Sequence, residues 1–398
     1  MRSSSFPRAL LVVLLTITVA ACSSPDPGPS TEWGNATTVE ELSIGVETGA
    51  EEYMFGSVSS LAVSEVGTMY VVERVPPIIR VYDDDGTFVR NIGGQGQGPG
   101  EFSDRGASAA RLLSDDLLVV WDIWNTRVSF FSTAGEFLDS FTASGFGCHR
   151  CMELDVEGNL YVRIPDRAAR SEADVLLAKY SIEGEQLDRI VTSPQDPVGR
   201  GFYLSAEGSI PAFMVMTAST LSPLGYVVTG RNDVYDIELR KPEGTVHLRR
   251  DLEPMPVGAE ERAEWEAFRQ TILVGARERN QDPQYDPDPV PQVKPFFRDI
   301  FVGEDGRIWV FRYVAAEKRH GVEPLPDRPD RPLLTWREPW TFDVFEPDGT
   351  FLGSVIVPEL LEPMVFRGDR MWGTLLDADG IEHVVRLRVV PEREVDGE

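Results

Sequence analysis

Residues 82–86 read YDDDG, and the phrase returns as FSTAG at 131–135, YSIEG at 180–184 and FEPDG at 345–349. Each copy begins with an aromatic residue, passes through turn-forming residues and ends on a glycine, which supplies the positive φ of a tight hairpin. Gly86 and Gly135 are 49 residues apart, and so are Gly135 and Gly184. A fixed period of this size, with several short strands in each unit, predicts a repeat fold.

A second phrase recurs upstream of the first in several repeats. Alternating apolar residues precede Gly67, Gly158 and Gly306, and an apolar run follows each of these glycines, at 69–71 (MYV), 160–162 (LYV) and 308–310 (IWV). Short, continuous apolar runs rich in β-branched and aromatic residues are typical of strands buried on both faces. The two phrases together predict stacked blades of short antiparallel strands.

The repeat resembles the NHL-type six-bladed β-propeller family, most clearly over residues 58–141. The resemblance is carried by the strand at 117–120, the segment with Asp122, Asn125, Arg127 and Val128, the turn at Gly135 and the phrase GGQGQGPGEF at 93–102. It implies an all-β fold, a six-bladed β-propeller of four-stranded antiparallel blades. It implies no particular activity, because scaffolds, binding proteins and enzymes share this fold.

Counting the repeats places the six blades near 57–93, 102–141, 149–191, 202–252, 296–357 and 364–390. The last of them lacks a recognisable fourth strand. The segment 39–47 (VEELSIGVE) alternates apolar and polar residues and belongs to no other blade, so we expect this N-terminal strand to close the ring. The propeller is then predicted to span residues 39–391, with a disordered tail at 392–398.

The N-terminus has the pattern of an export signal. Two arginines precede an apolar run at 10–21 that is too short to span a bilayer, and VAAC at 19–22 resembles the lipobox of bacterial lipoproteins. We predict a signal peptide at 1–21, lipidation of Cys22 and a flexible tether at 22–38, with an ordinary secretory signal as the alternative. Ser23 follows the cysteine, where an Asp would resemble an inner-membrane retention signal, so the predicted location is the bacterial cell envelope at the outer membrane.

The composition is strongly acidic, with a formal net charge of -27. Such a field repels nucleic acid and bare anionic lipid surfaces, so we predict no nucleic-acid partner and membrane contact through the lipid anchor only. The need to keep the protein soluble is sufficient to explain most of this negative charge.

Two cysteines besides Cys22 lie close together, Cys148 and Cys151 in the phrase GCHRCM. Outside the cytosol such a pair predicts a local disulfide, and the alternative, a metal site, needs two further ligands. The four histidines fall in different blades or their loops, so we predict no His-rich metal site and no cofactor.

Nearly all the extra length of the repeats falls in connections expected to open on one face, at 93–104, 163–173, 192–211, 253–295 and 313–339. Within the fourth, residues 258–280 predict an amphipathic helix with Trp265, Phe268, Ile272 and Ala276 on one side. This helix either caps the ring or recruits a partner. Long loops on one rigid face usually carry the function of a protein.

The ends of the second strands bring a set of polar and aromatic residues to this face: Arg74, Asp122, Trp124, Asn125, Arg163, Arg231 and Arg312. Arginines from four blades are suited to bidentate binding of a carboxylate, phosphate or acidic sugar, unless each is paired with a neighbouring carboxylate. We predict a ligand- or partner-binding lipoprotein without catalysis, whose partner is an anionic small molecule or an envelope protein.

The alternative function is a metal-dependent, lactonase-like hydrolase with its site at the channel mouth. Such an enzyme needs carboxylates and an amide meeting at one metal, and the cluster that suits this role is Asp122, Asn125, Asn232 and Asp233.

Overall fold

The computed structural model describes residues 33–145, 149–165, 175–193, 203–205, 208–210, 212–278, 289–321 and 332–392. Over these ranges the chain is almost entirely β-structure. It begins with a long strand, β1 (Gly34–Ile44), whose partners come from the far end of the chain.

Four separate four-stranded antiparallel sheets follow in chain order. The first contains β2 (Val58–Val63), β3 (Met69–Glu73), β4 (Ile78–Tyr82) and β5 (Phe88–Ile92). The second contains β6 (Ala109–Ser114), β7 (Leu117–Asp122), β8 (Arg127–Ser132) and β9 (Phe137–Thr142). The third contains β10 (Met152–Leu154), β11 (Leu160–Pro165), β12 (Val175–Tyr180) and β13 (Gln186–Ser193), and a hairpin of β14 (Tyr203–Ser205) and β15 (Gly208–Ile210) comes next. The fourth contains β16 (Thr217–Leu221), β17 (Val227–Arg231), β18 (Asp236–Lys241) and β19 (Gly244–Arg249).

The helix α1 (Ala259–Glu278) leads into the C-terminal part of the chain. There β20 (Phe297–Val302), β21 (Ile308–Arg312), β24 (Trp340–Phe345) and β25 (Phe351–Val357) form one group, and a small hairpin of β22 (Glu317–Lys318) and β23 (Trp336–Arg337) lies between β21 and β24 in sequence. A second group contains β26 (Glu362–Arg367), β27 (Arg370–Leu376) and β28 (Glu382–Pro391). Strand β1 joins the two groups into one eight-stranded sheet, parallel to β25 and antiparallel to β28.

The apolar core lies between neighbouring sheets and forms a closed circuit. Six clusters of buried apolar residues each join one group of strands to the next, and the last cluster joins the C-terminal group to the first sheet. One pair of residues from each cluster shows this: Val72 with Val120, Val119 with Val162, Tyr161 with Leu221, Val228 with Val310, Trp309 with Met371, and Trp372 with Leu61. Face-to-face packing of successive antiparallel sheets around a ring is the architecture of a β-propeller.

The repeated turn phrase has the backbone that its glycines predict. The φ angles of Gly86, Gly135, Gly184 and Gly349 are 83°, 100°, 84° and 100°. These values lie in the left-handed region that residues with a side chain rarely adopt. The hairpin prediction is therefore confirmed at all four copies.

Strand β1 differs from the sequence prediction at both ends. It starts at Gly34, so residues 34–38 belong to the sheet, and the predicted tether at 22–38 is too long. Ala36 is buried and pairs with Pro391, and Thr38 pairs with Val389. The stretch GNATT has no apolar alternation, so its strand depends on tertiary pairing. Residues 1–32, with Cys22, and residues 393–398 lie outside the described residues.

The helix prediction at 258–280 is confirmed, because α1 spans Ala259–Glu278. Phe268 is fully buried and packs with Trp265 and Leu334, while the side chains of Ile272 and Ala276 lie outside the described residues. Among the helices described here, none has the length and apolar character that crossing a bilayer requires.

Candidate functional site

The predicted arginines Arg231, Arg312 and Arg74 contact different residues from one another. Arg231 is exposed and lies 2.9 Å from Asp233. The guanidinium of Arg312 lies 3.4 Å from the fully buried carboxylate of Asp343. Arg74 is exposed, and its charge opposes the burial that raises the pKa of Glu362. These contacts do not bring the three arginines together around one ligand.

Arg163, the fourth predicted arginine, is partly buried and lies in β11. It donates a hydrogen bond of 3.1 Å to the carbonyl of Ser219 in the fourth sheet. Burial, and next the neighbouring charge of Arg150, lower the pKa of Arg163. Its contact therefore joins the third sheet to the fourth.

Asp122 organises the loop that carries the other predicted residues. Its carboxylate is buried and accepts hydrogen bonds from the backbone amides of Ser103 (2.7 Å), Trp124 (3.0 Å) and Asn125 (3.1 Å). The Asn125 side chain donates to the carbonyl of Gly96 at 3.2 Å, and the exposed ring of Trp124 stacks 4.1 Å from the guanidinium carbon of Arg105. A buried carboxylate with three amide donors is a structural anchor for its loop.

Asn232 has the corresponding role at the end of β17. Its side chain donates to the carbonyls of Met214 and Phe297, both at 3.0 Å, and accepts from the amide of Met216 at 2.8 Å. The side-chain oxygens of Asp122 and Asn232 are thus engaged by the backbone. Across the described ranges no group of three or more His, Cys, Asp or Glu residues is arranged to hold a metal ion.

Three arginines that the sequence did not single out project into the channel. Arg111 on β6 binds Glu153 through Nε (3.2 Å) and Nη2 (3.1 Å). Arg150, just before β10, binds Asp299 and donates to the carbonyl of Ile300 at 2.6 Å. This contact joins the start of the third sheet to β20, and the fourth sheet lies between these two in chain order.

Arg367, the third channel arginine, lies at the end of β26. It donates to the carbonyls of Val63 (2.6 Å) and Ser64 (2.8 Å) in the first sheet, and its Nε donates to Glu304 at 2.8 Å. One guanidinium therefore connects three groups of strands at the point where the ring closes.

A cavity of about 290 Å³ lies at this mouth of the channel. Its wall contains the C-terminal ends of β2, β6, β10, β16, β20 and β26, which are the innermost strands of their groups. The partly exposed apolar side chains in the wall are Leu112, Leu113, Leu154, Phe301, Val302 and Met364. Because β2 and β3 are antiparallel, the end of β2 and the end of β3, next to Arg74, lie at opposite faces. The cavity is therefore on the face opposite to the predicted arginine site.

The charges that a solute meets in this cavity are mainly carboxylates. The side chains of Glu304 and Glu65 are 42% and 78% exposed, while those of Arg111, Arg150 and Arg367 are only 15–22% exposed. Although part of the Glu304 side chain is exposed, protein atoms surround its carboxyl closely. This partial desolvation raises the pKa of the carboxyl, and the charge of Arg367 lowers it by a smaller amount. The cavity thus combines an apolar wall with an acidic rim.

One sequence signal for this rim was present. Glu65 and Glu304 each stand two residues before a turn glycine, Gly67 and Gly306, in corresponding turns of two repeats. Residues in corresponding turns of a propeller lie on the same face, so the repeated Glu is a signal that would have located both residues on one face, although it was missed at the level of the sequence. The arginines had no such pattern, because they come from different positions in their repeats.

The comparisons with known proteins agree with this fold. No curated protein matches the sequence. A family described as a 6-bladed beta-propeller matches residues 44–107. The chain is similar to a solved member of the DUF4221 family from Bacteroides vulgatus, with 11% identity, a TM-score of 0.50, and coverage of 90% of this chain and 100% of that one.

Two further solved structures are similar to the chain. One is a protein of Bacteroides fragilis assigned as exported, with 12% identity, a TM-score of 0.49, and coverage of 89% and 95% of the two chains. The other is the calcium-binding protein regucalcin of Agrobacterium tumefaciens, with 10% identity, a TM-score of 0.38, and coverage of 89% and 96%. At such identities a likeness concerns the fold alone and assigns no activity.

Proposed function

We propose that this protein is an exported, lipid-anchored β-propeller of six blades that binds a small molecule at its channel mouth without catalysis. The four separate sheets and the two halves of the eight-stranded sheet support six blades, as does the family matched by residues 44–107. The signal pattern and VAAC at 19–22 support export and lipidation at Cys22.

The observation that carries the binding function is the cavity formed by the ends of all these innermost strands. A concave site with an apolar wall and a few charged groups is the usual form of a small-molecule site. Here the most exposed charges are Glu65 and Glu304, and Glu304 is 42% exposed although it is paired with Arg367, while the arginines are largely covered by their protein acceptors. The ligand therefore has an apolar body and a positively charged or hydrogen-bond-donating group.

This ligand differs from the anionic one predicted from Arg74, Arg163, Arg231 and Arg312. Contacts of Arg163, Arg231 and Arg312 with Ser219, Asp233 and Asp343 favour a structural role for those three arginines. A ligand anion would have to compete with these acceptors, at a cost for each pair that it breaks.

A thermal-shift comparison of phenethylammonium with phenylpropionate tests the sign of the charge. We expect the amine to raise the melting temperature of the wild type, and Glu304→Gln to weaken its binding about tenfold, since that variant removes one charge-assisted contact worth about 1.5 kcal/mol. The matched control is Glu346→Gln, because Glu346 is also paired with an arginine, Arg307, but lies outside the cavity.

Stabilisation by the carboxylate alone, abolished by Arg74→Ala, would instead restore the anionic ligand on the opposite face. Equal loss of amine binding in Glu304→Gln and Glu346→Gln would show that the cavity is not the site.

Lipid anchoring has its own test. Cys22→Ala removes the acylated side chain, so the protein should move from the membrane fraction to the soluble extracytoplasmic fraction. If the Cys22→Ala protein stays in the membrane fraction, the proposed lipid anchor at Cys22 is wrong.

The proposed disulfide between Cys148 and Cys151 is tested by thiol titration. Cys151 is buried, and Cys148 lies outside the described residues. The unfolded, non-reduced mature chain should titrate no free thiols, because lipidation leaves an even number of cysteines. Two thiols per chain would rule the disulfide out.

A further inference from the structure

We propose that the cavity-bearing face is turned toward the membrane surface that holds the acyl chains of Cys22, and that the face with α1 points away from it. The inference rests on the proposed lipidation. To the proposed function it adds the side from which a ligand reaches the channel mouth, which is the side of the membrane.

The first step is the place where the chain enters the propeller. The strand register connects Gly34 to Gly353, Gly353 to Val344, Val344 to Trp309, and Trp309 to Phe301. Phe301 lines the cavity. Because paired residues lie side by side across a sheet, the start of β1 is at the same level as the cavity.

The entry point is fixed by packing. The backbone amide of Trp33 donates to the carbonyl of Leu352 at 3.1 Å, and its buried ring lies 5.8 Å from the ring of Trp309 and 5.4 Å from the guanidinium of Arg307. Arg307 lies in the turn between β20 and β21, on the cavity face. The chain therefore cannot enter from the other face without losing these contacts.

The second step is a comparison of lengths. The innermost strand β2, which runs from one face to the other, has six residues, so the opposite face is about 20 Å from the level of the entry point. Residues 22–33 are linked by 11 peptide units, which span at most about 38 Å. Turning the face with α1 to the membrane would require the tether to run past the whole thickness of the ring before it reaches the lipid, which uses about half of its full length and restricts its conformations.

The cavity face also presents apolar side chains at the tips of its turns. Val66 and Val156, in corresponding turns of two sheets, are among the most exposed apolar residues that the structure describes, and Val156 lines the cavity. The neighbouring Glu65 and Glu157 are exposed as well. Acidic turns oppose insertion into an anionic bilayer, so the anchor alone keeps this face near the lipid and the channel mouth stays open.

Fluorescence resonance energy transfer from a donor on the protein to an acceptor-labelled lipid tests the orientation. Full-length lipidated protein is placed in vesicles of phosphatidylethanolamine and phosphatidylglycerol that contain an acceptor-labelled lipid. A donor is attached at Glu157→Cys on the cavity face or, as the matched control, at Asp379→Cys in the exposed turn between β27 and β28 on the opposite face. Protein without the new cysteine provides the labelling blank.

We expect higher transfer from the Glu157→Cys site than from the Asp379→Cys site. A flexible 20-residue Gly/Ser insertion after Ser30 should reduce the difference, because a longer tether permits both orientations. Equal or reversed transfer in protein that floats with the vesicles would overturn the orientation alone. Protein that does not float would overturn the lipid anchor, and the orientation with it.

Discussion

At the scale of single residues, burial and pairing decide whether a charged side chain holds the fold or faces a ligand. Asp122 and Glu73 end the second strands of neighbouring sheets, and both accept hydrogen bonds from the backbone that leads into an innermost strand, at Ser103 and Gly56 respectively. Glu304 stands in a turn, retains access to solvent and lines a cavity. The same carboxylate chemistry therefore has a structural role in one place and a proposed binding role in the other.

Glu73 gives a prediction about pH. It is fully buried, its Oε1 lies 3.0 Å from Nε of Arg80, and burial raises its pKa from 4.5 to about 7 despite that arginine. The folded state thus holds the proton more tightly than the unfolded state. As pH rises from 4.5 through 7, the free energy of unfolding should lose up to about 3 kcal/mol from this group.

Urea unfolding at pH 5 and pH 8 measures this loss. We expect Glu73→Gln to reduce the difference between the two pH values relative to the wild type, while Glu136→Gln, at an exposed turn, keeps the wild-type difference. An unchanged difference in Glu73→Gln would contradict the assignment.

At the scale of elements, β1 and α1 are held by contacts with distant parts of the sequence. Strand β1 covers the edge of β28 and contributes Ala36 and Ile44 to the core. The first turn of α1 is held to the propeller through Glu261, whose carboxylate lies 2.7 Å from the buried ammonium of Lys294. Both elements complete surfaces that would otherwise expose unpaired backbone or apolar groups.

Removing β1 should be severely destabilising. A chain beginning at Gly45 loses the buried residues of β1 and leaves the edges of β25 and β28 unpaired, so we expect a loss on the order of 5 kcal/mol and a tendency to aggregate. Thermal melting and light scattering measure both effects. A chain beginning at Trp33 is the control, and equal melting of the two chains would refute a closing role for β1.

Lys294 should anchor α1 strongly. Its ammonium pairs with Glu261 and Glu338 and donates to the carbonyl of Val314 at 3.0 Å. Lys294→Met leaves the buried carboxylate of Glu261 without its cation and Glu338 with Arg298 alone, so we expect a loss of about 3–5 kcal/mol and faster amide hydrogen exchange in α1.

Lys318→Met is the matched control for that variant. Lys318 pairs with Glu260 in the same first turn of α1, but both side chains are exposed, so the loss of stability should be much smaller than in Lys294→Met. Equal exchange rates in the two variants would show that the buried pair does not hold the helix.

At the scale of the whole molecule, arginine side chains connect the innermost strands around the channel. Arg111, Arg150, Arg163 and Arg367 each bind an acceptor on a different group of strands from their own. Long, planar guanidinium groups with several donors are suited to such bridges. Although the body is strongly acidic, its channel is held by cations.

Arg150 tests this bridging. Arg150→Ala removes the guanidinium donor from the carboxylate of Asp299 and from the carbonyl of Ile300, and we expect a loss of about 2–3 kcal/mol in the free energy of unfolding. Arg189→Ala, on the exposed side of β13, should change it by less than about 0.5 kcal/mol. Similar values for the two variants would mean that the cross-channel contact does not stabilise the ring.

The sequence by itself determined the features that depend on local chemistry. Turn glycines such as Gly86, the apolar runs of the strands and the helix at 258–280 follow from backbone preferences and periodicity within a few residues. The tertiary structure alone decided where β1 begins and which arginines face the cavity. Pairs such as Arg367 with Val63 and Arg150 with Asp299 join residues about 300 and 150 positions apart, and burial at such sites exists only once the ring has closed.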